Sequence, residues 1–463
     1  MEENKKKFKL PHIYVLLTLI IVICAIASWI LPAGQFDHMI NEAGKEVVVP
    51  GTYHIIESTP VGPFATVQAF YKGMVNGAGV IFFVFISYSS IGLIIQSGAF
   101  NGLVAFLLKV LKGNTRVVII PIFMFVIGMS SSTIGLFEET LPFIPIFVGI
   151  SMAMGYDALV GLAIVALGAG IGYSGAMMNP FTVGMAQSIA GVSQMTGMGY
   201  RFFSHLVMIA VASVYIIRYA LKVQKDPTKS LVHGDDFSQF SMSAEDIEKH
   251  PFGIREKMVL FTLVAGICVI VWGSKVHGWY FDEINAVFLL MGIISAIIMG
   301  WGPNEIAERI SKGFMDIATA CLMIGIARGI LVVLQAGNII DTVVYGMSIP
   351  LSKLPNWLSA DAMLIVQTLL NFLIPSGSGQ AVTSMPIMAP LADLIGISRQ
   401  TAVLAFQFGD GLSNIIWPTA FAPIVCGIAG VKLDKYWKWV IPLFLLLILT
   451  QCVLVAGSIL VWA

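Results

Sequence analysis

The sequence predicts an all-α polytopic membrane protein, with about nine transmembrane helices and two re-entrant hairpins in two inverted repeats with broken helices. Three observations predict this class. The hydrophobic fraction is 57% and the charged fraction 11%, against about 45–50% and about 25% in soluble domains. Apolar runs of spanning length recur along the chain. The polar interruptions of the second half repeat those of the first in the same order.

The first span covers residues 13–31 and follows a lysine-rich start, which places the N-terminus in the cytoplasm. Its apolar run is too long for a signal peptide and lacks a small-residue exit. A polar loop at 32–65 is placed outside. The second span, 75–96, ends near Lys109, Lys112 and Arg116, and the amphipathic piece at 99–111 is read as lying along the interface. Residues 117–154 have short apolar arms around a polar centre, so they read as a re-entrant hairpin with Ser130-Ser131-Ser132-Thr133 at its tip. The next run is broken at Gly175–Pro180, and the span at 203–221 ends in a basic cluster. Residues 223–257 read as a cytoplasmic linker with the character of a surface loop, dividing a first half, 1–222, from a second, 258–463.

The second half places spans at 258–273, 282–300 and 313–335, and an interfacial piece at 338–352. A second hairpin, 360–394, is interrupted at Pro375–Gln380, and a broken span at Gly409–Pro418. The loop VKLDKYWKW is basic and cytoplasmic, so the last span takes the C-terminus outside.

The halves match element by element. Gln96 and Gly98 fall opposite Gln335 and Gly337, Ser132 opposite Ser376, Gly135 opposite Gly379 and Pro142 opposite Pro386. Ser174 meets Ser413 and Pro180 meets Pro418 after a one-residue gap. The matched unit makes three crossings, an odd number, so its second copy is inverted in the membrane, an architecture of secondary transporters.

A broken helix frees N–H groups at one end and carbonyls at the other. The first suit carboxylates, and the second, with hydroxyls and amides, suit a small cation such as Na⁺. The candidate substrate contacts of the first half are Ser131, Ser132, Thr133, Glu138 and Glu139 in the hairpin, with Ser174 and Asn179 at the break. Those of the second are Ser376, Ser378, Thr383 and Asn414. Candidates for cation or proton coupling are Ser130, Gly135 and Gly175, then Gly379, Asp410, Ser413 and Thr419. The bland alternative is that Ser, Gly and Pro here only ease helix packing.

Glu138 and Glu139 align with Val382 and Thr383, so the carboxylates belong to one half. They suit an ammonium or guanidinium, a proton, or an internal Arg. Adjacent helical residues point about 100° apart, so at most one faces the site squarely. Arg328 either holds a substrate carboxylate or neutralises Glu138, Glu139 or Asp410. Asp410 reads as a cation ligand or proton carrier, Asp316 as a loop-side or packing residue, and Trp417 as pocket or packing.

Net charge is zero and gives no argument for nucleic acid. The five cysteines have no paired spacing, so neither a disulfide framework nor a metal cluster is expected. No H-E-x-x-H or phosphate-loop motif occurs, which argues against an enzyme or an ATP-driven pump. No cofactor is expected beyond Na⁺ or H⁺ as coupling ion.

Pro11-His12-Ile13-Tyr14 with Ile30–Gly34, Glu138-Glu139-Thr140-Leu141-Pro142-Phe143, and Ala327-Arg328-Gly329-Ile330 resemble the C4-dicarboxylate anaerobic carrier family of the ion transporter superfamily. The closer likeness is to its branch of basic amino acid (arginine/ornithine) antiporters. It covers the whole chain except 223–257. The resemblance implies two inverted repeats meeting at a central site, and movement of that core like an elevator against a scaffold. Hairpin tips in the superfamily often carry Ser-Asn-Thr. This chain has Ser-Ser-Ser-Thr and Ser-Gly-Ser-Gly instead, with Asn179 and Asn414 near the other breaks. The expectation is a bacterial inner-membrane antiporter of basic amino acids, with a Na⁺- or H⁺-coupled C4-dicarboxylate carrier as the alternative. Its partners are then the small-molecule substrate and the lipid bilayer, and a homodimer is left open.

Overall fold

A computed structural model describes residues 11–40, 46–49, 51–99, 102, 113–240 and 253–462. The lysine-rich start and most of the piece at 99–111 lie outside the described residues. The described residues are 78% helical. Its described strands form two short antiparallel pairs, Gly34–Gln35 with His54–Ile55 and His38–Ile40 with Glu46–Val48.

The first half opens with α1 (Ile13–Ile30), α2 (Pro63–Asn76) and α3 (Ala78–Gln96), the last two meeting at Gly77. Then α4 (Ile119–Ile134) ends at Gly135, whose φ of 80° lies in the left-handed region that glycine adopts without strain. The chain reverses there and returns through a 3₁₀ turn, Glu138–Phe143, and α5 (Ile144–Ala153). Both arms lie along α6 (Ala158–Ser174): Gly168 faces Met124 of α4, while Gly161 faces Phe147 and Val148 of α5. The two arms therefore begin and end beside the start of α6. After an unwound stretch with Asn179 and Pro180 the chain resumes as α7 (Val183–Ile189), then α8 (Met198–Lys225). Pro180 has no N–H to continue the ladder, which fixes the break there.

The second half contains α9 (Ile254–His277), α10 (Phe281–Met299), α11 (Pro303–Ala336) and α12 (Ile340–Ser348). The hairpin arms are α13 (Asn356–Leu373) and α14 (Gly377–Leu394), and the broken helix is α15 (Arg399–Ser413) with α16 (Phe421–Ala429). The chain ends with α17 (Leu433–Val461). Among the described residues, eight helices are long and apolar enough to cross a membrane, α4 included, while the broken helices are shorter. Helix α11 starts ten residues before the expected span because Pro303 opens it and Arg309 pairs with Glu305 at 2.7 Å.

The packing of the first half is repeated in the second for most elements. The arms α4 and α5 pack on α6, and α13 and α14 pack on α15. Helix α7 packs on α14 as α16 packs on α5, and α1 lies on α11 as α10 lies on α3. Helices α6 and α15 cross antiparallel: Gly170 faces Ile415, and Gly411 sits against the backbone of Ser174. Only small residues permit that approach. Among the described residues, helix α9 has no counterpart.

Two bundles result. One contains α1–α3, α10 and α11; the other contains the hairpins, the broken helices, α8 and α17. They meet along a seam where α3 touches the 3₁₀ turn at 138–143 and α11 touches α16.

The linker differs from a plain surface loop over its first half. Tyr219 and Ser230 both donate to Asp157 Oδ2 at 2.6 Å, and Asp157 caps α6 through Val160 N–H. Asp235 pairs with Lys435 at 2.7 Å and Lys432 at 3.2 Å, and Phe237 is buried. Residues 226–240 thus strap the start of α6 to the α16–α17 turn. The sequence hides this because mixed charges read as solvated until their partners are known. Residues 241–252 lie outside the described residues.

Candidate functional site

The seam encloses a cavity of roughly 230 Å³. The core bundle lines it with Gly135, Phe137 and Glu138 from the first hairpin turn, Tyr173 from α6, and Phe181 and Asn414 from the two breaks. The second hairpin adds Pro375, Ser376, Gly377 and Ser378. The opposite bundle supplies Arg328, Tyr280 and Phe281. A smaller cavity of roughly 50 Å³ shares Glu138, Arg328 and Asn414 and reaches Thr419. Both volumes fall below the roughly 300–1,000 Å³ of drug-sized sites, so the space suits one small metabolite.

Glu138 and Arg328 face this space from different bundles. No ion pair within 4 Å involves either among the described residues. The stem of Arg328 passes over Gly77, where α2 and α3 meet. Glu139 turns inward, and its Oε2 accepts from Phe137 N–H at 2.8 Å, bracing the turn that presents Glu138.

Asp410 stands behind the cavity wall. It is fully buried, and neither carboxylate oxygen has a hydrogen-bond partner. A side chain starting at Gly377 would meet Tyr173 Oη at 2.8 Å and Asp410 Oδ2 at 3.0 Å. The carboxylate therefore lies at the first turn of α14, whose free N–H groups favour an anion. Asn371 and Asn414 both donate to the Asp410 carbonyl, at 2.9 and 2.8 Å.

The other expected contacts are placed elsewhere. The hydroxyls of Ser130 and Thr133 donate to Ile127 and Met129 carbonyls inside α4. Ser131 donates to the Ala169 carbonyl and Ser132 to that of Gly175, both at 3.0 Å. The four hydroxyls thus join α4 to itself and to α6, and the hairpin tip is Gly135–Phe137 rather than the Ser/Thr run. Ser174 is occupied by Gln451 and the Phe408 carbonyl, and Asn179 accepts from Phe181 N–H. Ser413 donates to the Gly409 carbonyl and Thr419 to that of Phe372. Gly379 donates to Ser376 Oγ at 3.4 Å. Thr383 lines a separate space of roughly 540 Å³ with Gln335 and Asp341. Trp417 donates to the Thr368 carbonyl and packs edge-on to Phe372, away from the cavity. Asp316 is exposed on α11.

The sequence reading missed the aromatic lining and a buried cation. Phe137, Tyr173, Phe181 and Tyr280 sit in apolar or loop segments with no distinguishing spacing. Arg201, two residues before the expected span at 203–221, is fully buried on α8 and donates to the Met177 carbonyl at 3.1 Å. It satisfies a carbonyl freed by the break. In the second half Tyr436 does the same for Ile415, and Trp437 for Ile416, both at 2.9 Å.

The chain is 29% identical, over 98% of its length and 97% of the relative's, to an Escherichia coli (strain K12) protein, YfcC, provisionally described as a basic amino acid antiporter. An uncharacterised protein of Haemophilus influenzae is 28% identical over 99% of this chain and 97% of its own. Among solved structures, MtrF of Neisseria gonorrhoeae, from a class of antimetabolite efflux pumps, has a TM-score of 0.46 at 16% identity, covering 98% of this chain and 96% of its own. The YdaH transporter of Alcanivorax borkumensis also scores 0.46, at 15% identity over 96% and 98%. The profile of a membrane transporter family described as C4-dicarboxylate anaerobic carrier matches residues 10–460. With that match over nearly the whole chain, and multiple apolar helices to span a bilayer, the protein belongs to the C4-dicarboxylate anaerobic carrier family.

Proposed function

We propose that this transporter exchanges basic amino acids of the arginine/ornithine type across a bacterial cytoplasmic membrane, as a secondary carrier without chemical conversion. One observation carries the reading: Glu138 and Arg328 share a small cavity without pairing. An amino acid offers a carboxylate for the guanidinium and a cation for the carboxylate, so it satisfies both. Both groups are half-buried, and a charge drawn partly out of water gains from an opposite partner, so the two together favour a ligand of mixed charge. The provisional description of the E. coli relative agrees.

Ser376 and the first turn of α14 add donors for the substrate carboxylate, and Asp410 is the candidate for a coupling proton or Na⁺. Because the cavity is shared between two bundles, movement of the hairpin bundle past α3 and α11 would carry Glu138 away from Arg328 and open the site to the other side. The N-terminus lies inside and the C-terminus outside in this reading, and a homodimer is the assembly it allows.

The second reading, a Na⁺- or H⁺-coupled C4-dicarboxylate carrier, is favoured by the family's description and by Arg328. Purified protein in vesicles loaded with arginine, ornithine or a C4-dicarboxylate separates the two. Counterflow of labelled arginine against ornithine is expected; dicarboxylate exchange without arginine exchange overturns the proposal.

A further inference from the structure

We infer that a wall of three aromatic rings, Phe181, Tyr280 and Phe281, is the element that selects the substrate's side chain, and that it favours a flat guanidinium. The inference rests on the basic amino acid reading above. All three rings line the cavity that holds Glu138 and Arg328. Tyr280 lies 4.1 Å from Phe281, stacked at 30°, and 5.0 Å from Phe181 at 37°. The wall is therefore continuous, though its members come from separate places: Phe181 from the first break and Tyr280–Phe281 from the start of α10.

Ring faces carry negative partial charge and attract cations, and an anion laid against them is repelled. With Glu138 on the same cavity, this side prefers positive charge. Arg328 is therefore left as the group for the carboxylate. A guanidinium is planar, weakly hydrated and able to stack, whereas an ammonium is compact and strongly hydrated. The wall consequently discriminates arginine from ornithine, which Glu138 alone does not.

Its placement adds a consequence. Tyr280 is 45% exposed, at the end of α10 away from the linker, and it belongs to the bundle opposite Glu138. Phe181 belongs to the moving bundle of the proposed cycle. The wall is complete only when the two bundles stand as they do here, so selection operates on one side of the membrane more than on the other.

The test is counterflow in vesicles with arginine, ornithine and the uncharged analogue citrulline, comparing wild type with Tyr280→Leu, Tyr280→Phe and Phe181→Leu. The expected result is a KM for arginine raised roughly 3- to 30-fold in both leucine variants, the range of a desolvated cation–π contact. Ornithine and citrulline shift by smaller factors, and Tyr280→Phe, which keeps the ring, restores the preference. Equal shifts for arginine and citrulline would mean lost packing and overturn the ring wall, as would a Tyr280→Phe variant as impaired as the leucine one. Wild-type vesicles that carry no basic amino acid would overturn the functional reading and the wall with it.

Discussion

Glu138 and Arg328 line the same cavity from two different helical bundles, and no ion pair joins them. Had they paired, the cavity would be self-neutralised and indifferent to its ligand. Kept beyond ion-pair distance, each is open to the opposite charge of a substrate in the proposed reading. Neighbouring Glu139 instead accepts from Phe137 N–H, so the two adjacent glutamates differ in what they face.

Glu138→Gln is expected to raise the KM for arginine by about 10- to 150-fold, the range of a lost charge-assisted hydrogen bond of about 1.5–3 kcal/mol. Glu139→Gln acts on the turn instead. It lowers the melting temperature in detergent and leaves the KM closer to wild type. Counterflow and thermal unfolding of both variants check this, and the reverse pattern would exchange the two assignments.

Gly377→Ala introduces a methyl group where Tyr173 Oη, Asp410 Oδ2 and the Thr182 methyl already stand within 3.0 Å. Overpacking of this kind costs about 1–3 kcal/mol. The variant is expected to lose transport and to melt at lower temperature, whereas Gly199→Ala, a helical position with open space around it, leaves transport intact and does not lower the melting temperature. Thermal unfolding followed by intrinsic fluorescence measures the difference.

Much of this site could be read in advance, and the boundary is physical. The broken helices and hairpins were visible because polar residues in apolar sequence demand an explanation. Glu138, Arg328, Ser376 and Asn414 stood out for that reason and meet in one cavity. The hydroxyls of Ser130–Thr133 stood out equally, yet they serve the α4–α6 contact: a Ser in a membrane helix has a nearby carbonyl available as readily as a ligand. Tyr173 and Tyr280 were invisible because an aromatic residue in an apolar run looks the same whether it packs or lines a cavity. Arg201 falls outside the expected span at 203–221, yet the helix begins three residues before it, at Met198.

Asp410 has two unpartnered oxygens in a fully buried position. Replacing it with Asn removes a buried ionisable group while keeping the shape, so the fold is expected to hold or gain stability. If Asp410 carries the coupling proton or cation, the same change flattens the dependence of transport on pH or on Na⁺. Transport that keeps its ion dependence in Asp410→Asn, with a normal melting temperature, would remove Asp410 from that role.

The linker strap depends on charge outside the membrane. Burial raises the Asp235 carboxyl, but the bonds from Lys435 and Lys432 outweigh it and hold the group below the usual carboxylate range. A depressed value means the contact stabilises the fold above about pH 4, the ordinary carboxylate range, and that this contribution is lost as pH falls through the lower folded value. Asp235→Asn should therefore speed proteolysis of the linker at neutral pH, with a difference from wild type that narrows in acid. Equal cleavage rates at neutral pH would show that the strap is held by Phe237 and Asp157 alone.

Arg201 and Tyr436 offer the sharpest comparison between the halves. Each sits in the first turn of the span that follows a broken helix, and each donates to a carbonyl freed by that break, Met177 or Ile415. Removing either donor leaves a buried carbonyl unmet, at about 1–3 kcal/mol. Tyr436→Phe keeps the ring and should fall in that range. Arg201→Met should fall below it or stabilise, because the guanidinium is itself buried with Nε and Nη1 unpartnered. An Arg201→Met variant that melts well below Tyr436→Phe, or fails to transport while folding normally, would show that the charge of Arg201 serves the transport cycle beyond the carbonyl it satisfies.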